Sequence, residues 1–472
     1  MPSPRSQPGH RRPAAAAALA VALSTLLGVM SSGALAADPG IGRTLTLPTP
    51  SPSPTPVPTS APSPTPTAAV PSGVSPLPGT VTFHGRGWGH GVGMSQHGAR
   101  GRALAGQSAA TILAHYYQGT SLGAVNPATP IRVLVLNAYA PTIAAPLVIV
   151  GRGGAWTVEG EGAAFPADAR LSIAPQAGGG WTVTVTASDG RGLLDTSRSA
   201  SFRVAPADPG LATTRLEIPT KPTNYDEYRG GLRVLPGSTT VSVVNELGLD
   251  TYLRGVVPVE MPSSWPVQAL AAQAIAARSY AAYRLRPGVG TFDVYDDTRS
   301  QVYRGYLGEQ AAGDAAIAAT AGVVIQSGSS IANALFHSTG GGATEHNENV
   351  FVSATGSKVA APVSYLRGSA DRAPDGSAWD GGSPYATWST MAYSLAQLSS
   401  WFTTDSRTNV GSLTGLDLRD RGVSGRLISV TLYGSAGSRK VSGDVFRAVF
   451  NGSKPSADRQ IRSTLFGLAP IP

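Results

Sequence analysis

The sequence predicts an α+β protein in which mixed, mostly antiparallel β structure and one alanine-rich long helix form a cleft. Short segments between residues 131 and 244 alternate apolar with polar side chains between Gly, Pro and Asp clusters, which is typical of antiparallel strands. Residues 266–286 instead form an Ala-rich stretch with helical periodicity, bounded by Pro266 and Pro287. The chain has 472 residues and no cysteine, so a large core has to be stabilised by packing rather than by disulfides.

Residues 1–36 have the pattern of a secretory signal peptide. Three arginines precede an apolar run from Ala14 to Met30, and Ala34-Leu35-Ala36 resembles a cleavage site. We expect an exported, secreted protein with no transmembrane span after cleavage. Sec export, twin-arginine export and an uncleaved signal that acts as an anchor are alternatives that the sequence leaves open.

The composition also limits the partners. The formal net charge is +8, and loss of the three N-terminal arginines would leave a modest positive excess. Such an excess favours anionic cell-wall polymers in a general way. Because there is no basic run and no matching motif, we expect no nucleic-acid partner.

Residues 37–80 are predicted to be a disordered linker. From Leu47 to about Pro78 the chain is mostly Pro, Ser, Thr and Ala, a composition that cannot bury a core and that favours an extended, semi-rigid spacer. A tether that carries the folded part away from the membrane and a simple spacer are both consistent with it.

A glycine-rich segment, 81–123, follows. Glycine at positions 85, 87, 89, 91 and 93 would leave one face of an extended chain bare. A bare face admits either a ligand or another backbone at close range. The segment also contains four histidines whose spacing matches no ligand template, so we expect no metal there: His84, His90, His97 and His115.

Residues 124–220 are predicted to be an inserted β-rich module without a catalytic motif, and residues 221–472 are predicted to form a further domain. The predicted strands are 131–137, 156–159, 171–174, 181–187, 201–204 and 232–244.

The stretch from Leu249 to Leu285 is the most informative part of the chain. It predicts a short helix capped by Asp250, a proline-restricted, non-helical connector that carries Glu260, and the long helix, capped by Ser263 or Ser264. Arg278 falls on the apolar face of that helix, where a cation needs a partner, and Glu260 is the nearest candidate. The alternative is that Glu260 is an ordinary loop carboxylate and that Arg278 extends to solvent.

Two later clusters have open interpretations. Asp293, Asp296 and Asp297 are more typical of turns than of a calcium loop. The segment 337–345 surrounds three glycines with polar residues, as in either a sugar-binding turn or an ordinary hairpin. Three later tryptophans could stack on sugars, although core packing is commoner: Trp379, Trp388 and Trp401.

Three motifs resemble those of one known family. V-V-P-V-E-M-P-S-S-W-P-V-Q-A-L-A-A-Q-A-I-A-A-R-S-Y-A, G-W-G-H-G-V-G-M-S-Q-H-G-A and H-S-T-G-G-G-A-T-E are similar to segments of the stage II sporulation protein D family, also called the amidase-enhancer (SpoIID/LytB) family. The resemblance covers about residues 81–123 and 225–465. In the family the glycine-rich motif is found toward the C-terminus of the domain, so here the segment must fold back to complete the cleft.

The resemblance implies a location in the cell wall and action on peptidoglycan glycan strands, with residues 221–472 as the catalytic domain and the family's catalytic glutamate at Glu260. It also implies zinc held partly by cysteines near Tyr295 and Ser300. Since this chain has no cysteine, we expect no metal and no cofactor. The expected substrate-binding residues are Gln273, Arg278, Tyr280, Gln301, Tyr303, His337, Ser338, Gly341, Gly342, Thr344, Glu345, His90 and Gln96.

The predicted function is that of a peptidoglycan lytic transglycosylase. Glu260 would protonate the glycosidic oxygen, and the C6 hydroxyl of muramic acid would attack internally, so no paired carboxylate is needed. Burial should raise the pKa of such an acid, whereas a close Arg278 would lower it. We therefore expect Arg278 to hold the cleft or contact the substrate carboxylate rather than to pair tightly with Glu260. The alternatives are a non-catalytic, glycan-binding enhancer whose partner is a cell-wall amidase, and a metal-dependent amidase, which the missing cysteines disfavour. The sequence leaves open whether the role is in sporulation, growth or division.

Overall fold

The computed structural model describes residue 74 and residues 76–221, 225–456 and 458–471. The predicted signal peptide and nearly all of the predicted linker lie outside the described residues. Within those ranges the fold is a mixed α+β arrangement with many antiparallel sheets and few helices, which confirms the predicted fold class at that level. No helix in the described ranges is long and apolar enough to cross a membrane.

The strands are short and are distributed over the whole described chain. They are β1 (Thr80–Val81), β2 (His84–Gly85), β3 (Met94–Ser95), β4 (Ser121–Ala124), β5 (Pro130–Tyr139), β6 (Leu147–Arg152), β7 (Trp156–Val158), β8 (Ala164–Phe165), β9 (Arg170–Pro175), β10 (Trp181–Thr186), β11 (Gly192–Arg198), β12 (Phe202–Pro206), β13 (Arg215–Glu217), β14 (Glu227–Tyr228), β15 (Gly231–Pro236), β16 (Val241–Gly248), β17 (Val294–Tyr295), β18 (Val323–Ser327), β19 (Ser330–Ile331), β20 (Phe336–His337), β21 (Trp388–Ser389), β22 (Tyr393–Ser394), β23 (Leu413–Asp417), β24 (Ser429–Gly434), β25 (Gly437–Ser442) and β26 (Phe466–Gly467).

The helices are short except for one. They are α1 (Gln96–Leu104), α2 (Ala109–Tyr116), α3 (Leu249–Arg254), α4 (Val257–Glu260), α5 (Val267–Arg284), α6 (Ala311–Ala319), α7 (Asn347–Val350), α8 (Leu395–Phe402) and α9 (Gly443–Ser453), with a 3₁₀ turn at Tyr306–Gly308.

Two large sheets share one hydrophobic core. Their strand orders are β17-β5-β16-β15-β12-β7-β8 and β11-β10-β9-β6-β13-β14, and the pairing of β17 with β5 is parallel. Alternate residues of β9 and β10 are buried in this core, as the alternating sequence predicts. The sequence did not predict β6, because Leu147–Val150 are all buried and form a continuous apolar run instead of an alternation.

The first of these sheets continues across the predicted boundary at residue 220. β5 lies before that boundary and β16 after it, and the two strands pair along their length. β16 leads directly into α3, whose Leu249, Tyr252 and Leu253 extend the same core. The sheet therefore fixes the start of the segment that carries Glu260, while the division into two domains stays a prediction.

The long helix α5 is buried on all sides. Its N-cap position is Pro266, without a side-chain cap, so the prediction of a serine cap was wrong. Every residue from Ala269 to Ala282 is buried, whereas the sequence predicted one inward face. The alanines explain the difference, because their small side chains let α1, α2, α3, α6 and β18 pack around the helix.

The N-terminal glycine-rich segment pairs with strands from the C-terminal part of the chain. β1 pairs with β22, and β2 lies between β21 and β26. Phe83 is fully buried in a second core and makes edge contacts with the rings of Phe446, Phe450 and Phe466. The segment thus folds back as the rearranged motif order required.

Candidate active site

Glu260 is the last residue of α4, a single helical turn. The sequence predicted a non-helical connector, but Pro258 lies in the first turn of α4, where its missing N–H costs no hydrogen bond. The chain becomes extended at Met261 and enters α5 after Pro266. Prolines therefore flank Glu260 on both sides as expected, but Glu260 itself lies at the end of a helical turn.

The carboxyl group of Glu260 is half-buried and has two hydrogen-bond donors. The backbone N–H of Val302 donates to Oε1 at 3.2 Å. The side-chain amide of Gln96 donates to the backbone oxygen of Glu260 at 3.1 Å and approaches Oε2 at 3.5 Å. Burial raises the pKa of Glu260, although both hydrogen bonds and the charge of Arg304 act in the opposite direction. The net result is a carboxyl group that keeps its proton to higher pH than an exposed glutamate.

Glu260 lies in a cleft of about 1060 Å³. Its walls are α4, the C-terminal half of α5, the loop 298–310, the strand β20 with the turn that follows, and the glycine-rich segment. The lining residues are Trp88, His90, Gln96, His97, Tyr225, Pro258, Val259, Glu260, Pro262, Trp265, Tyr280, Arg284, Thr298, Arg299, Ser300, Val302, Arg304, Leu307, Gly308, Gln310, Leu335, Phe336, His337, Ser338, Phe351, Pro384 and Tyr385. Among these described residues Glu260 is the one carboxylate.

The alternating glycines at positions 85, 87, 89, 91 and 93, here called the glycine ladder, pack against other parts of the protein, which favours close packing over a ligand. Gly87, Gly89, Gly91 and Gly93 all have positive φ, so the segment is not a regular strand. A methyl group at Gly93 would overlap the carbonyl oxygen of Leu335. The bare positions therefore let the segment lie directly on the chain around β20.

The hydroxyl group of Ser95 stabilises the contact between the glycine-rich segment and the chain around β20. Ser95 Oγ caps α1 by accepting the N–H of Gly98 at 3.1 Å, and it also accepts the N–H of Gly340 at 3.1 Å. β3 pairs with β20 in parallel, so Ser95 lies opposite His337. Gln96, the first residue of α1, is thereby held at the cleft beside Glu260.

Six residues of the predicted site line the cleft: Glu260, Gln96, His90, Tyr280, His337 and Ser338. The Nδ1 of His90 accepts the N–H of Val92 at 3.0 Å, and the Nδ1 of His337 lies 3.2 Å from the carbonyl oxygen of Val92. Burial lowers the pKa of both histidines, that of His90 to about 4. Both rings are therefore neutral near pH 7. Gln96 was predicted to bind substrate, but its amide is directed at Glu260.

Arg278 does not reach the cleft. Its fully buried guanidinium forms an ion pair with Asp250 on α3, with distances of 2.6 Å from Nε to Oδ1 and 3.0 Å from Nη2 to Oδ2. The partner is therefore Asp250 and not Glu260, the nearest candidate in the sequence. The expectations that Arg278 contacts substrate and that Asp250 caps α3 were wrong. The N-cap residue is Gly248, and Asp250 lies in the first turn, where it faces α5.

Three further predicted residues are buried behind the cleft rather than in its lining. Gln301 accepts the hydroxyl of Tyr252 at 3.3 Å, and Tyr303 donates to the side chain of Asn245 at 2.8 Å. Gln273 lies inside α5 with both amide atoms lacking a hydrogen-bond partner among the described residues. All three side chains are buried, so they support the wall from inside.

In the glycine turn (residues 337–345), the polar groups from residue 341 onward form hydrogen bonds with other parts of the protein. The N–H of Gly341 donates to Asp380 at 2.6 Å. Both oxygens of Glu345 accept hydrogen bonds from the loop at Val423 and Ser424, and Thr344 exchanges hydrogen bonds with Ser369. Gly341, Gly342, Thr344 and Glu345 are absent from the lining of the cleft. They were predicted to contact sugar, but in the structure their polar groups contact other protein groups and stabilise the turn.

The aspartate cluster is divided among three cations. Asp293 pairs with Arg132 at 2.8 Å, Asp296 with Lys221 at 2.6 Å and Asp297 with Arg299 at 2.7 Å. In the part of the chain that the structure describes, no three His, Asp or Glu side chains converge as metal ligands would.

The positions where the family resemblance implies zinc ligands do not fit that ion. The ring of Tyr295 lies 3.7 Å from the guanidinium carbon of Arg299, and Ser300 Oγ accepts the N–H of Tyr295 at 3.1 Å. Neither residue offers a thiolate, so no catalytic step is assigned to zinc.

The sequence interpretation missed much of the aromatic and cationic lining. Trp88, His97 and Trp265 are in the motifs that carried the resemblance, so their position there could have drawn attention to them. Trp88 contacts Tyr385 at 4.2 Å between ring centroids, and His97 contacts Trp265 at 4.7 Å. No local signal marks Tyr385. The three tryptophans that were considered lie outside the lining, and Trp401 packs in the second core.

Two cationic side chains of the lining have uncharged partners. Arg284 donates to the amide oxygen of Asn333 at 2.8 Å and lies over the ring of Tyr280. Arg304 donates to the hydroxyl of Tyr225 at 2.8 Å and lies over its ring. Arg299, in contrast, is paired with Asp297. The cleft thus combines one acid, several aromatic rings and two arginines, Arg284 and Arg304, that form no ion pair with a carboxylate in the described chain.

Residues 237–326, which include Glu260 and α5, match the family model described as Stage II sporulation protein. The resemblance to the stage II sporulation protein D and amidase-enhancer family is thereby confirmed for this segment.

Curated relatives agree with that match. The Amidase enhancer of Bacillus subtilis is 32% identical over 164 residues, which are 35% of this chain and 21% of that protein. The Stage II sporulation protein D of Bacillus amyloliquefaciens is 52% identical over 44 residues, 9% of this chain and 13% of that protein. An uncharacterised protein of Brachyspira hyodysenteriae is 40% identical over 131 residues, 27% of this chain and 35% of that protein. The aligned stretches span about a third or less of these relatives, and no solved structure matches the chain.

Proposed function

We propose that this is an exported cell-wall protein that binds peptidoglycan glycan strands in the cleft and cleaves them as a lytic transglycosylase, with Glu260 as the acid. The observation that carries the proposal is the state of Glu260: a half-buried carboxyl with a raised pKa, and the one carboxylate in the described lining of a long cleft. A proton donor for a glycosidic oxygen needs these properties.

The proposed reaction uses one carboxyl group twice. Glu260 donates its proton to the oxygen that leaves as the bond to the anomeric carbon of muramic acid breaks. The C6 hydroxyl of the same sugar then bonds to that carbon and returns its proton to Glu260, which yields a 1,6-anhydro end. Hydrolysis by a pair of carboxylates would need a second acid, and none lines the described cleft.

The remaining lining suits an anionic glycan. Tyr385 and Trp265 offer aromatic surface beside which sugar rings can pack. Arg284 and Arg304 can each receive a carboxylate in charge-assisted hydrogen bonds, because their present acceptors are uncharged. Muramic acid carries such a carboxylate on its lactyl group.

The test compares the wild type with the Glu260→Gln variant on purified glycan strands stripped of stem peptides. We expect the wild type to release fragments with anhydro ends, detected by mass spectrometry, and the variant to release at least about a hundredfold fewer, as loss of a general acid implies. Equal binding of both proteins to the strands in a sedimentation assay shows that the substitution affects chemistry. If the variant releases as many fragments as the wild type, Glu260 is not the acid.

A second function is supported by the similarity to a protein named Amidase enhancer. In that case the cleft binds glycan without cleaving it, and the bound protein stimulates a cell-wall amidase. This alternative predicts that wild type and variant bind glycan equally, release no anhydro fragments, and accelerate a purified amidase to the same extent.

A further inference from the structure

Within the described chain the side chain of Gln96 hydrogen-bonds to one residue, Glu260, which is 164 positions away in the sequence. Its Nε2 lies 3.1 Å from the backbone oxygen of Glu260 and 3.5 Å from Oε2. Gln96 is buried. One amide group thus contacts both the main chain and the carboxylate of the proposed acid.

Gln96 is itself held firmly on the opposite wall. It is the first residue of α1, directly after the capping Ser95, and Ser95 also accepts the N–H of Gly340. α1 packs against α5, and β3 pairs with β20. The amide is therefore fixed by a cap, a helix contact and a strand pairing, none of which involves α4.

We infer that Gln96 is a positioning residue for Glu260: it holds the turn of α4 and aims the carboxyl group, so that the glycine-rich segment completes the active site from a distant part of the chain. This inference rests on the proposed function for its effect on the reaction rate. Its structural content concerns Glu260 alone and can be measured without turnover.

The contact with the main chain and the contact with the carboxylate have different consequences, so an experiment can recognise the positioning role of Gln96. The hydrogen bond to the backbone oxygen fixes the main chain whether or not the carboxyl is protonated. The contact with Oε2 stabilises the ionised form and so lowers the pKa of Glu260. Removing the amide should therefore misplace the acid and slow the reaction, and at the same time move the pKa of that acid upward.

The experiment uses the Gln96→Met variant of the mature chain, in which a side chain of similar length has no donor. The titration of Glu260 is followed by NMR of protein labelled with ¹³C at glutamate carboxyl groups, and the signal is assigned by its absence in the Glu260→Gln variant. We expect a higher pKa for Glu260 in Gln96→Met. We also expect kcat to fall about tenfold to a hundredfold with little change in KM, and the alkaline limb of the pH profile to move to higher pH.

Two controls separate positioning from general damage. Gln107→Met makes the same change on the chain that follows α1, where the amide oxygen of Gln107 accepts from Arg102 outside the cleft. It should leave the titration of Glu260 and the rate unchanged. Gln96→Asn keeps an amide but shortens its reach, and it should raise the pKa of Glu260 as Gln96→Met does. If Gln96→Met fails to fold, Gln96→Asn is used in its place.

The outcomes are distinguishable from those of the proposed function. If the rate of Gln96→Met falls while Glu260 titrates as in the wild type, Gln96 only fills space and the inference is overturned. An unchanged rate together with an unchanged titration overturns it as well. If the wild type has no activity but the titration moves upward, the proposed function fails and the positioning contact stands.

Discussion

The guanidinium of Arg278 and the carboxylate of Asp250 form a bidentate ion pair that joins α5 to α3, so Arg278 is not available to pair with Glu260. A tight pairing of Arg278 with Glu260 would have lowered the pKa of that acid and opposed proton donation. Arg278 is paired with Asp250 instead, and burial raises the pKa of Glu260.

Loss of this ion pair should be costly. Arg278→Met leaves the carboxylate of Asp250 largely buried and unpaired, and we expect the free energy of unfolding in urea to fall by about 3 kcal/mol. The matched control is Arg407→Met, which removes an exposed pair with Asp405 and should cost less than about 1 kcal/mol. Equal losses in the two variants would show that the Arg278 pair contributes no more than a surface pair.

The raised pKa of Glu260 predicts a pH dependence of stability. Glu260 binds more protons in the folded chain than in the unfolded chain between its ordinary pKa and its raised one, so stability falls as pH rises through that window. The Glu260→Gln variant lacks this loss. We therefore expect its stability relative to the wild type to increase from pH 4 to pH 7, as measured by urea unfolding at each pH. A difference that is constant across this range would contradict a raised pKa.

The same shift predicts the alkaline limb of activity under the proposed function. An acid must be protonated to act, so the rate should fall as pH rises through the raised pKa, at a pH above the ordinary glutamate range near 4.3. The limb should be visible in kcat measured on peptide-free glycan strands. A rate that rises across that range would assign Glu260 the role of a base instead.

The glycine ladder predicts a difference between two substitutions with similar backbone geometry. Gly93 and Gly106 both have positive φ, but a Cβ at Gly93 meets the backbone at Leu335, whereas a Cβ at Gly106 meets nothing. Gly106→Ala should cost about 1 kcal/mol of unfolding free energy, from the left-handed conformation alone. Gly93→Ala should cost about 3 kcal/mol or more, because the two backbones must also move apart. Equal costs would mean that the ladder does not need close contact.

Local pattern predicted the elements better than the contacts between them. Alternation identified β9 and β10, but the fully buried β6 has no alternation to detect. The sequence predicted the long helix and Glu260, yet did not identify Asp250 as the partner of Arg278. The pairing with Asp250 depends on how α3 and α5 pack against each other, and periodicity within one helix carries no information about that.

The cleft itself was harder to predict for the same reason. Gln96 and Glu260 meet across 164 residues, and Tyr385 meets Trp88 across nearly 300. Such encounters are set by the pairing of β2 with β21 and of β3 with β20. Polar residues of the glycine turn were assigned to substrate because a turn exposes its backbone, but Asp380 and the loop at Ser424 already occupy those groups.

The arginines of the cleft provide a prediction about substrate charge. Arg284 has uncharged partners, whereas Arg299 is already paired with Asp297, so a carboxylate on the glycan should depend on Arg284 more than on Arg299. We expect Arg284→Gln to weaken binding of peptide-free glycan about tenfold, as the loss of one charge-assisted hydrogen bond implies, and Arg299→Gln to weaken it less. Binding is measured by calorimetry at fixed salt concentration.

Glycan whose lactyl carboxylates have been converted to amides supplies the matching control. If Arg284 binds the carboxylate, the wild type should bind the amidated strands about as weakly as Arg284→Gln binds the native ones. Arg284→Gln itself should then be almost indifferent to amidation, because the charge and its partner have both been removed. Should amidation weaken the wild type and the variant by the same factor, the carboxylate is bound elsewhere in the cleft, and Arg304, whose charge acts on Glu260, becomes the next residue to exchange.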